Sequence, residues 1–105
     1  MTKPEAKALT IEVWTYLAEH PEIEYKSDLP DLLYRKIAGL SCQCPLCEVF
    51  SFQHEKCPLL DCSSPSPYDR WEYTRVMEVR EKAAREIVAI VSAWNPEAEE
   101  GETEA

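Results

Sequence analysis

The fold is decided by one long segment, SPYDRWEYTRVMEVREKAAREIVAIVSAWNP, which runs from Ser66 to Pro96. Its apolar residues recur at spacings of three and four, the pattern of an amphipathic helix. This stripe comprises Val76, Val79, Ala83, Ile87, Ile90 and Trp94. Ser66 can cap the helix, Pro67 suits its first turn, and Asn95 with Pro96 ends it. We therefore predict one helix across the segment.

Basic residues in the same segment are matched by acidic ones. The basic set is Arg70, Arg75, Arg80, Lys82 and Arg85, and the acidic set is Asp69, Glu72, Glu78, Glu81 and Glu86. Such alternation is typical of a solvated helix face with ion pairs along it. We expect these basic side chains to lie on this exposed face.

Two more helices are predicted before this segment. The first follows PEAKALTIEVWTYLAEHP, where Pro4 suits a first turn and Pro21 ends the helix. The second follows KSDLPDLLYRKIAGL, with Ser27 or Asp28 as the N-cap and Gly39 near the end. Its expected buried stripe is Leu29, Leu32, Leu33, Ile37 and Leu40. The large aromatic residues stand at helical spacing and are expected in the core: Trp14, Trp71, Trp94, Tyr68 and Tyr73.

All five cysteines lie in the stretch SCQCPLCEVFSFQHEKCPLLDC, from Ser41 to Cys62. Two residues separate Cys44 from Cys47, and four separate Cys57 from Cys62. Each pair begins Cys-Pro-Leu, and the proline restricts the backbone after the first thiol. Two close cysteine pairs on a short loop are typical of a tetrahedral zinc site. We predict Zn²⁺ bound by Cys44, Cys47, Cys57 and Cys62.

Several alternatives to this ligand set remain open. Cys42 or His54 could replace one member, because the second pair is more widely spaced than usual. Four thiolates also suit an iron–sulfur cluster, although the spacing differs from the common ferredoxin runs. A redox CxxC needs a strand before it and a helix after it, and neither is expected here. Zinc held by four sulfurs has no open position, so the predicted ion is structural rather than catalytic.

These elements together predict an all-α fold. It has about three helices, with an irregular, zinc-clasped cysteine loop between the second and third, in which EVFSF could form a short strand or half a turn. Residues 1–95 are expected to form one domain and residues 96–105 a disordered acidic tail. The chain of 105 residues carries a net charge of −9, of which the five glutamates of the tail supply −5. That acidity disfavours direct binding to nucleic acid.

The composition also bears on the compartment. No signal peptide or apolar run long enough for a membrane span is present in the sequence, so we expect a cytoplasmic protein without membrane contact. A reducing cytosol would keep the thiols available for metal.

Four sequence features together resemble a group of small, uncharacterised proteins encoded by tailed phages and prophages. They are IEVWTYLAEHP with Trp14, the link KSDLP with Lys26, the motifs CPLC and CPLLDC, and YDRW with Tyr68 and Trp71. The resemblance covers roughly residues 9–71, and it departs from that group in the spacing of the second cysteine pair. It implies a phage accessory protein in the bacterial cytosol, and it implies no activity.

No set of residues typical of an enzyme active site occurs in the sequence. Paired catalytic carboxylates, a Ser-His-Asp set and a phosphate loop are all missing, and His20 is expected to be a helix-end cation. We therefore expect a protein that is not an enzyme and acts by binding another protein. The alternatives are an acidic decoy or regulator of a nucleic-acid-binding host protein, or a zinc module that binds nucleic acid itself.

Overall fold

The computed structural model describes residues 1–40, 44–50 and 67–96. They form five α-helices and one 3₁₀ helix, with no strand among them. The helices are α1 (Lys3–Glu19), α2 (Asp31–Ile37), α3 (Pro45–Phe50), α4 (Pro67–Tyr73) and α5 (Met77–Ala93), and the 3₁₀ helix is Lys26–Asp28. The all-α class is confirmed, whereas the expected number of about three helices was too low.

Helix α1 has the bounds that its prolines predict. Thr2 is the N-cap, and its hydroxyl accepts a hydrogen bond from the Glu5 backbone N–H at 3.2 Å. In return the Thr2 backbone N–H donates to the Glu5 carboxylate at 2.9 Å, which completes a capping box. The helix ends at Glu19, with His20 as the C-cap before Pro21.

The core forms where α1 packs against α5 and α3, and α4 packs against α5. Trp14 and Leu17 of α1 are buried, as are Leu46 of α3 and Trp71 of α4. Burial of these large apolar side chains is the main favourable contribution to folding. The prediction that the large aromatic residues lie in the core is confirmed for Trp14 and Trp71. It is wrong for Tyr73, which is 77% exposed.

The second helix begins later than predicted. Ser27 and Asp28 lie in the 3₁₀ helix, and the N-cap of α2 is Pro30. A residue before proline is restricted to extended backbone, so the helix cannot run through Leu29. Leu29, Leu33 and Ile37 are buried as expected, while Leu32 is 77% exposed and does not belong to the buried stripe.

The long third segment is two helices instead of one. Helix α4 ends at Tyr73 and α5 begins at Met77, with extended backbone at Val76 between them. The Thr74 hydroxyl accepts a hydrogen bond from the Val76 backbone N–H at 3.1 Å. The Thr74 carbonyl accepts another from the Arg80 guanidinium at 3.2 Å. Side-chain hydrogen bonds to the backbone thus stabilise a break that neither glycine nor proline marks.

The buried face of α5 is shifted relative to the predicted stripe. Its buried residues are Arg80, Ala83, Ala84, Ile87 and Val91, whereas Val76, Val79 and Ile90 are exposed. Arg80 was expected on the solvated face and is only 3% exposed. Its guanidinium donates to backbone carbonyls, which compensates for burying the charge. The side chain of Arg80 therefore connects the first turn of α5 to the link that follows α1.

Helix α3 lies inside the loop that was expected to be irregular. Glu48, Val49 and Phe50 are helical, so the beginning of EVFSF is not a strand. Leu46 is fully buried and Phe50 is 5% exposed, and both belong to the core. Residues 41–43 and 51–66, which include most of the cysteine segment, and residues 97–105 of the acidic tail lie outside the described residues, while Pro96 is buried.

Candidate functional site

The first cysteine pair stands at the start of α3. Cys44 directly precedes the helix, is 6% exposed, and its carbonyl accepts a hydrogen bond from the Glu48 N–H at 3.2 Å. Cys47 is three residues further along, within α3. Residues three apart on a helix lie on the same side, so this turn brings two thiol-bearing residues to one place. That arrangement suits one half of a tetrahedral zinc site.

Helix α3 is fixed to the core on both sides of Cys47. Leu46 is fully buried. The ring of Phe50 lies 5.7 Å from that of Trp94, and the Lys3 ammonium is 5.1 Å from the Phe50 ring centroid. The first cysteine pair is therefore carried on a short helix that α1 and α5 hold in place.

The remaining predicted ligands cannot be placed. The Cys47 side chain, Cys57 and Cys62 lie outside the described residues, as do Cys42 and His54, the alternatives. In the part of the chain that the structure describes, no group of three or more metal-ligating side chains occurs. The four-cysteine zinc site stays a prediction. The expectation that no helix follows the first cysteine of the CxxC was wrong, because α3 begins at Pro45; residues 41–43 lie outside the described residues.

A second site is built around the ammonium of Lys26. Lys26 is 7% exposed, and its Nζ lies 4.8 Å from the Tyr68 ring centroid and 5.6 Å from that of Trp14. Trp14 meets Trp71 edge to face, with centroids 5.1 Å apart, and Tyr68 similarly at 5.7 Å. Edge-to-face contacts and cations over ring faces are both favourable arrangements of aromatic groups. The four residues form one cluster, called here the Lys26 cluster.

A cavity of about 390 Å³ opens beside the Lys26 cluster. Tyr68 and Trp71 line it from α4, and the 24–27 segment lines it from the other side. Tyr25 and Tyr73 also line it and are 65% and 77% exposed. A smaller cavity of about 230 Å³ adjoins it and shares Glu24, Tyr25, Glu72 and Tyr73. We call these four shared residues the Tyr25–Tyr73 surface.

Trp71, one of the residues that line this cavity, has a buried polar atom. Its side chain is 4% exposed, and its indole Nε1 has no acceptor among the described residues. A buried donor without an acceptor is unfavourable by about 1–3 kcal/mol. Trp71 thus lines the cavity and carries a buried hydrogen bond donor for which residues 1–40, 44–50 and 67–96 supply no acceptor.

His20 has an ordinary structural environment. Its backbone N–H donates to the Tyr16 carbonyl at 3.0 Å, and its ring stacks on that of Tyr16 with centroids 4.2 Å apart. Its Nδ1 lies 3.2 Å from a Glu22 carboxylate oxygen. The position at the end of α1 agrees with the sequence-based expectation of a helix-end residue.

Comparisons with models of protein families, with curated protein sequences and with solved structures found no match to this chain. The resemblance to phage-encoded proteins therefore stays a prediction. Four of the residues that carry it nevertheless lie together, because Trp14, Lys26, Tyr68 and Trp71 are the Lys26 cluster. Among the described helices, none has the length and apolar character that crossing a membrane requires.

The Tyr25–Tyr73 surface was not found by sequence reasoning. Tyr25 stands in a short polar link between helices, and an aromatic residue there is the only local signal. Tyr73 was assigned to the core because a continuous helix was expected through Thr74. Because the helix ends at Tyr73, the side chain of Tyr73 lies at the end of α4 and is exposed.

Proposed function

We propose that this chain is a small zinc-binding accessory protein, encoded by a phage, that acts in the bacterial cytosol by binding another protein. It is not an enzyme in this proposal. The zinc is structural and is held by Cys44, Cys47, Cys57 and Cys62. The observation that carries the metal proposal is the placement of Cys44, buried at the first turn of a helix docked on the core.

The first cysteine pair supports a structural role for the ion. A helix of six residues is too short to be stable alone, so α3 depends on its contacts with the core. Leu46 and Phe50 supply those contacts on one side. A metal bound by Cys44 and Cys47 would fix the start of the same helix, and the second cysteine pair would be joined to it. Zinc would thereby connect residues 51–66 to the core.

Exposed aromatic residues support a role in protein binding. Tyr25 and Tyr73 are among the most exposed large side chains that the structure describes, and both line the same cavity. Tyrosine is enriched at the energetically important positions of protein interfaces, because its rigid ring loses little entropy on binding. A cavity with two such rings at its edge is suited to receive a side chain of a partner.

Elemental analysis of the purified full chain tests the metal. We expect about one zinc per chain, bound through sulfur. X-ray absorption at the zinc edge would then report sulfur neighbours at about 2.3 Å. Iron with visible absorption would favour a cluster, and protein purified without chelator that contains no metal would contradict the proposal.

Affinity capture from a bacterial lysate tests the binding function. The tagged chain is used as bait, with one sample treated with nuclease and one untreated. We expect the same protein partner in both samples. If nucleic acid is recovered, and no protein is captured once the lysate has been treated with nuclease, the result would contradict the proposal. It would favour a zinc module that binds nucleic acid.

The net charge favours a second candidate, an acidic decoy or regulator of a nucleic-acid-binding host protein. A chain with a net charge of −9 is attracted to the basic surfaces with which such proteins bind phosphates. In the same capture, this candidate predicts a nucleic-acid-binding protein that added DNA displaces from the bait. A partner that DNA does not displace excludes it.

A further inference from the structure

We propose that the link between α4 and α5 is a hinge through which two copies of this chain exchange α5. In the exchanged dimer, residues 67–93 form one continuous helix, and α5 of each copy packs against α1 and α4 of the other. The partner is therefore a second copy of the chain. This exchange goes beyond the proposed protein-binding function and does not require it.

The sequence of the link does not require a break in the helix. Residues 68–95 contain neither glycine nor proline, the residues that most often end a helix. In the structure Val76 nevertheless has extended backbone, with φ −84° and ψ 116°. The break is short, because α4 ends at Tyr73 and α5 begins at Met77. Only residues 74–76 need to change backbone conformation to join the two helices.

Two hydrogen bonds of side chains hold the broken form. The Thr74 hydroxyl accepts from the Val76 N–H at 3.1 Å, and the Thr74 carbonyl accepts from the Arg80 guanidinium at 3.2 Å. In a continuous helix that carbonyl would accept from the backbone N–H four residues further on. The other acceptors of Arg80, the carbonyls of Pro21 and Ile23, would be supplied by the second copy. The hinge itself therefore favours neither form strongly.

Helix α4 folds back along α5 in the single chain. Arg70 of α4 forms an ion pair with Glu86 of α5. Sixteen positions separate these two residues. Along one continuous helix they would lie about 24 Å apart, because each residue adds about 1.5 Å. In the continuous form this ion pair can therefore be made only between two chains.

Straightening the hinge would also separate α5 from α1. Helix α4 is held to α1 by the edge-to-face pair of Trp14 and Trp71, whose ring centroids are 5.1 Å apart. Helix α1 would therefore move away from α5 together with α4, and the apolar faces that pack in the core would meet water. A second copy with the same open hinge supplies each missing face, which is the principle of domain swapping.

Apolar side chains at the hinge provide a contact that only the dimer uses. Tyr73, Val76 and Met77 are 77%, 56% and 54% exposed. Spacings of three and four place them on one face of a continuous helix, whereas in the broken form they flank the link. In the exchanged dimer the two hinges pass each other at the two-fold axis, so this face is buried against its copy. That burial offsets part of the entropy lost on association.

The oligomeric state of the purified full chain tests the exchange. The chain is incubated a few degrees below its melting temperature over a range of concentrations and analysed by size-exclusion chromatography with light scattering. We expect a dimer whose fraction rises with concentration. It should return to monomer slowly after dilution, because α5 must leave α1 before the chains can separate.

Two variants of the hinge should shift this equilibrium in opposite directions. T74A/V76A raises helix propensity at two positions in each of two hinges and should raise the dimer association constant about thirtyfold. Met77→Pro should keep the chain monomeric. Proline suits the first position of α5 and holds Val76 in the extended backbone that it already has. We expect M77P to retain the helical circular dichroism of the wild type.

An exchange of charges distinguishes swapped helices from chains that associate through their surfaces. Arg70→Glu and Glu86→Arg each bring like charges together within a single chain. In a swapped heterodimer of the two variants, both contacts pair opposite charges again. Native mass spectrometry of the mixture should show heterodimers about threefold above their statistical share. R85E mixed with E81R is the matched control, because that pair lies within α5 and the net charges change equally.

Four results would overturn the proposal. They are a wild type that stays monomeric at every concentration, no increase in dimer for T74A/V76A, dimerisation of M77P equal to that of the wild type, and no excess of heterodimers over the control pair. The charge exchange leaves residues 74–76 unchanged, so it decides between the two forms of association even if M77P does not fold.

Discussion

The guanidinium of Arg80, on α5, donates a hydrogen bond to the backbone carbonyl of Pro21, which follows the end of α1. The same group reaches the carbonyl of Ile23 at 3.3 Å and that of Thr74 at 3.2 Å. One buried side chain therefore joins the link after α1 to the break between α4 and α5. These two joined segments directly adjoin the walls of the cavity, because Ile23 precedes the 24–27 segment and Thr74 follows α4.

Replacing Arg80 by methionine should destabilise the protein strongly. Arg80→Met keeps much of the apolar stem and removes the donors, which leaves three backbone carbonyls without them. We expect the free energy of unfolding to fall by about 2–4 kcal/mol, measured by urea denaturation.

Arg85→Met is the matched control for Arg80. Its side chain is 61% exposed and pairs with Glu81 one turn away, so its removal should change stability by less than about 0.5 kcal/mol. Equal effects of the two substitutions would show that the carbonyl contacts of Arg80 do not contribute to stability.

Two leucines on neighbouring helices should respond very differently to truncation. Leu46→Ala removes a fully buried side chain and should lower the free energy of unfolding by about 2–5 kcal/mol. Leu32→Ala removes one that is 77% exposed, and the change should stay within about 0.5 kcal/mol. Thermal unfolding of both variants and of the wild type measures these changes in stability. A small effect at Leu46 would mean that α3 is not docked on the core.

Cysteine substitutions distinguish the predicted zinc ligands from the alternatives. Cys47→Ser is expected to lose the metal and to lower the melting temperature severely, since structural zinc contributes about 10–16 kcal/mol of binding free energy in small peptides. Cys42→Ser is expected to keep both metal and stability. Zinc content by elemental analysis is the readout. If Cys42→Ser contains no zinc while Cys62→Ser still contains it, Cys42 is the fourth ligand.

The capping box of α1 predicts a pH dependence at low pH. The Thr2 backbone N–H, and then its hydroxyl, lower the pKa of Glu5 below its usual 4.5. Because the pKa is lower in the folded state, the stabilisation is complete above the unfolded-state value and is lost as pH falls through the folded-state value. A ¹³C carboxyl titration measures this pKa directly.

Thr2→Ala and Glu5→Gln provide the controls for the capping box. Removing the Thr2 hydroxyl should move the pKa of Glu5 upward, toward its usual value. Glu5→Gln keeps the capability to cap but should abolish the contribution of this site to the pH dependence. A Glu5 pKa that does not respond to Thr2→Ala would show that the hydroxyl has no part in the shift.

Sequence patterns predicted what depends on local chemistry. Pro4 and Pro21 bracket α1 as expected because proline acts on its own backbone and that of its neighbours. Trp14 and Trp71 are buried as their helical spacing indicates. The turn that carries Cys44 and Cys47 is also local, although its helical form was not foreseen.

The features that sequence patterns missed depend on distant partners. The break at Thr74 is stabilised by Arg80, and the carbonyls of Pro21 and Ile23 compensate for the burial of Arg80 by accepting its hydrogen bonds. Those acceptors lie more than fifty residues away in the chain. A pattern that assigns arginine to solvent cannot include them, so both the break and the register of α5 were predicted wrongly.

The position of Lys26 has a consequence for chemical labelling. Acylating reagents modify the amines that they can reach, and the Lys26 ammonium is enclosed by Trp14 and Tyr68 with 7% of the residue exposed. Lys36, with a side chain 52% exposed, has no such shield. Lys26 will therefore acquire an acyl group mainly when the 26–28 segment separates from α1 and α4. The rate at which Lys26 is acylated, measured by mass spectrometry, therefore reports how often this part of the fold opens locally.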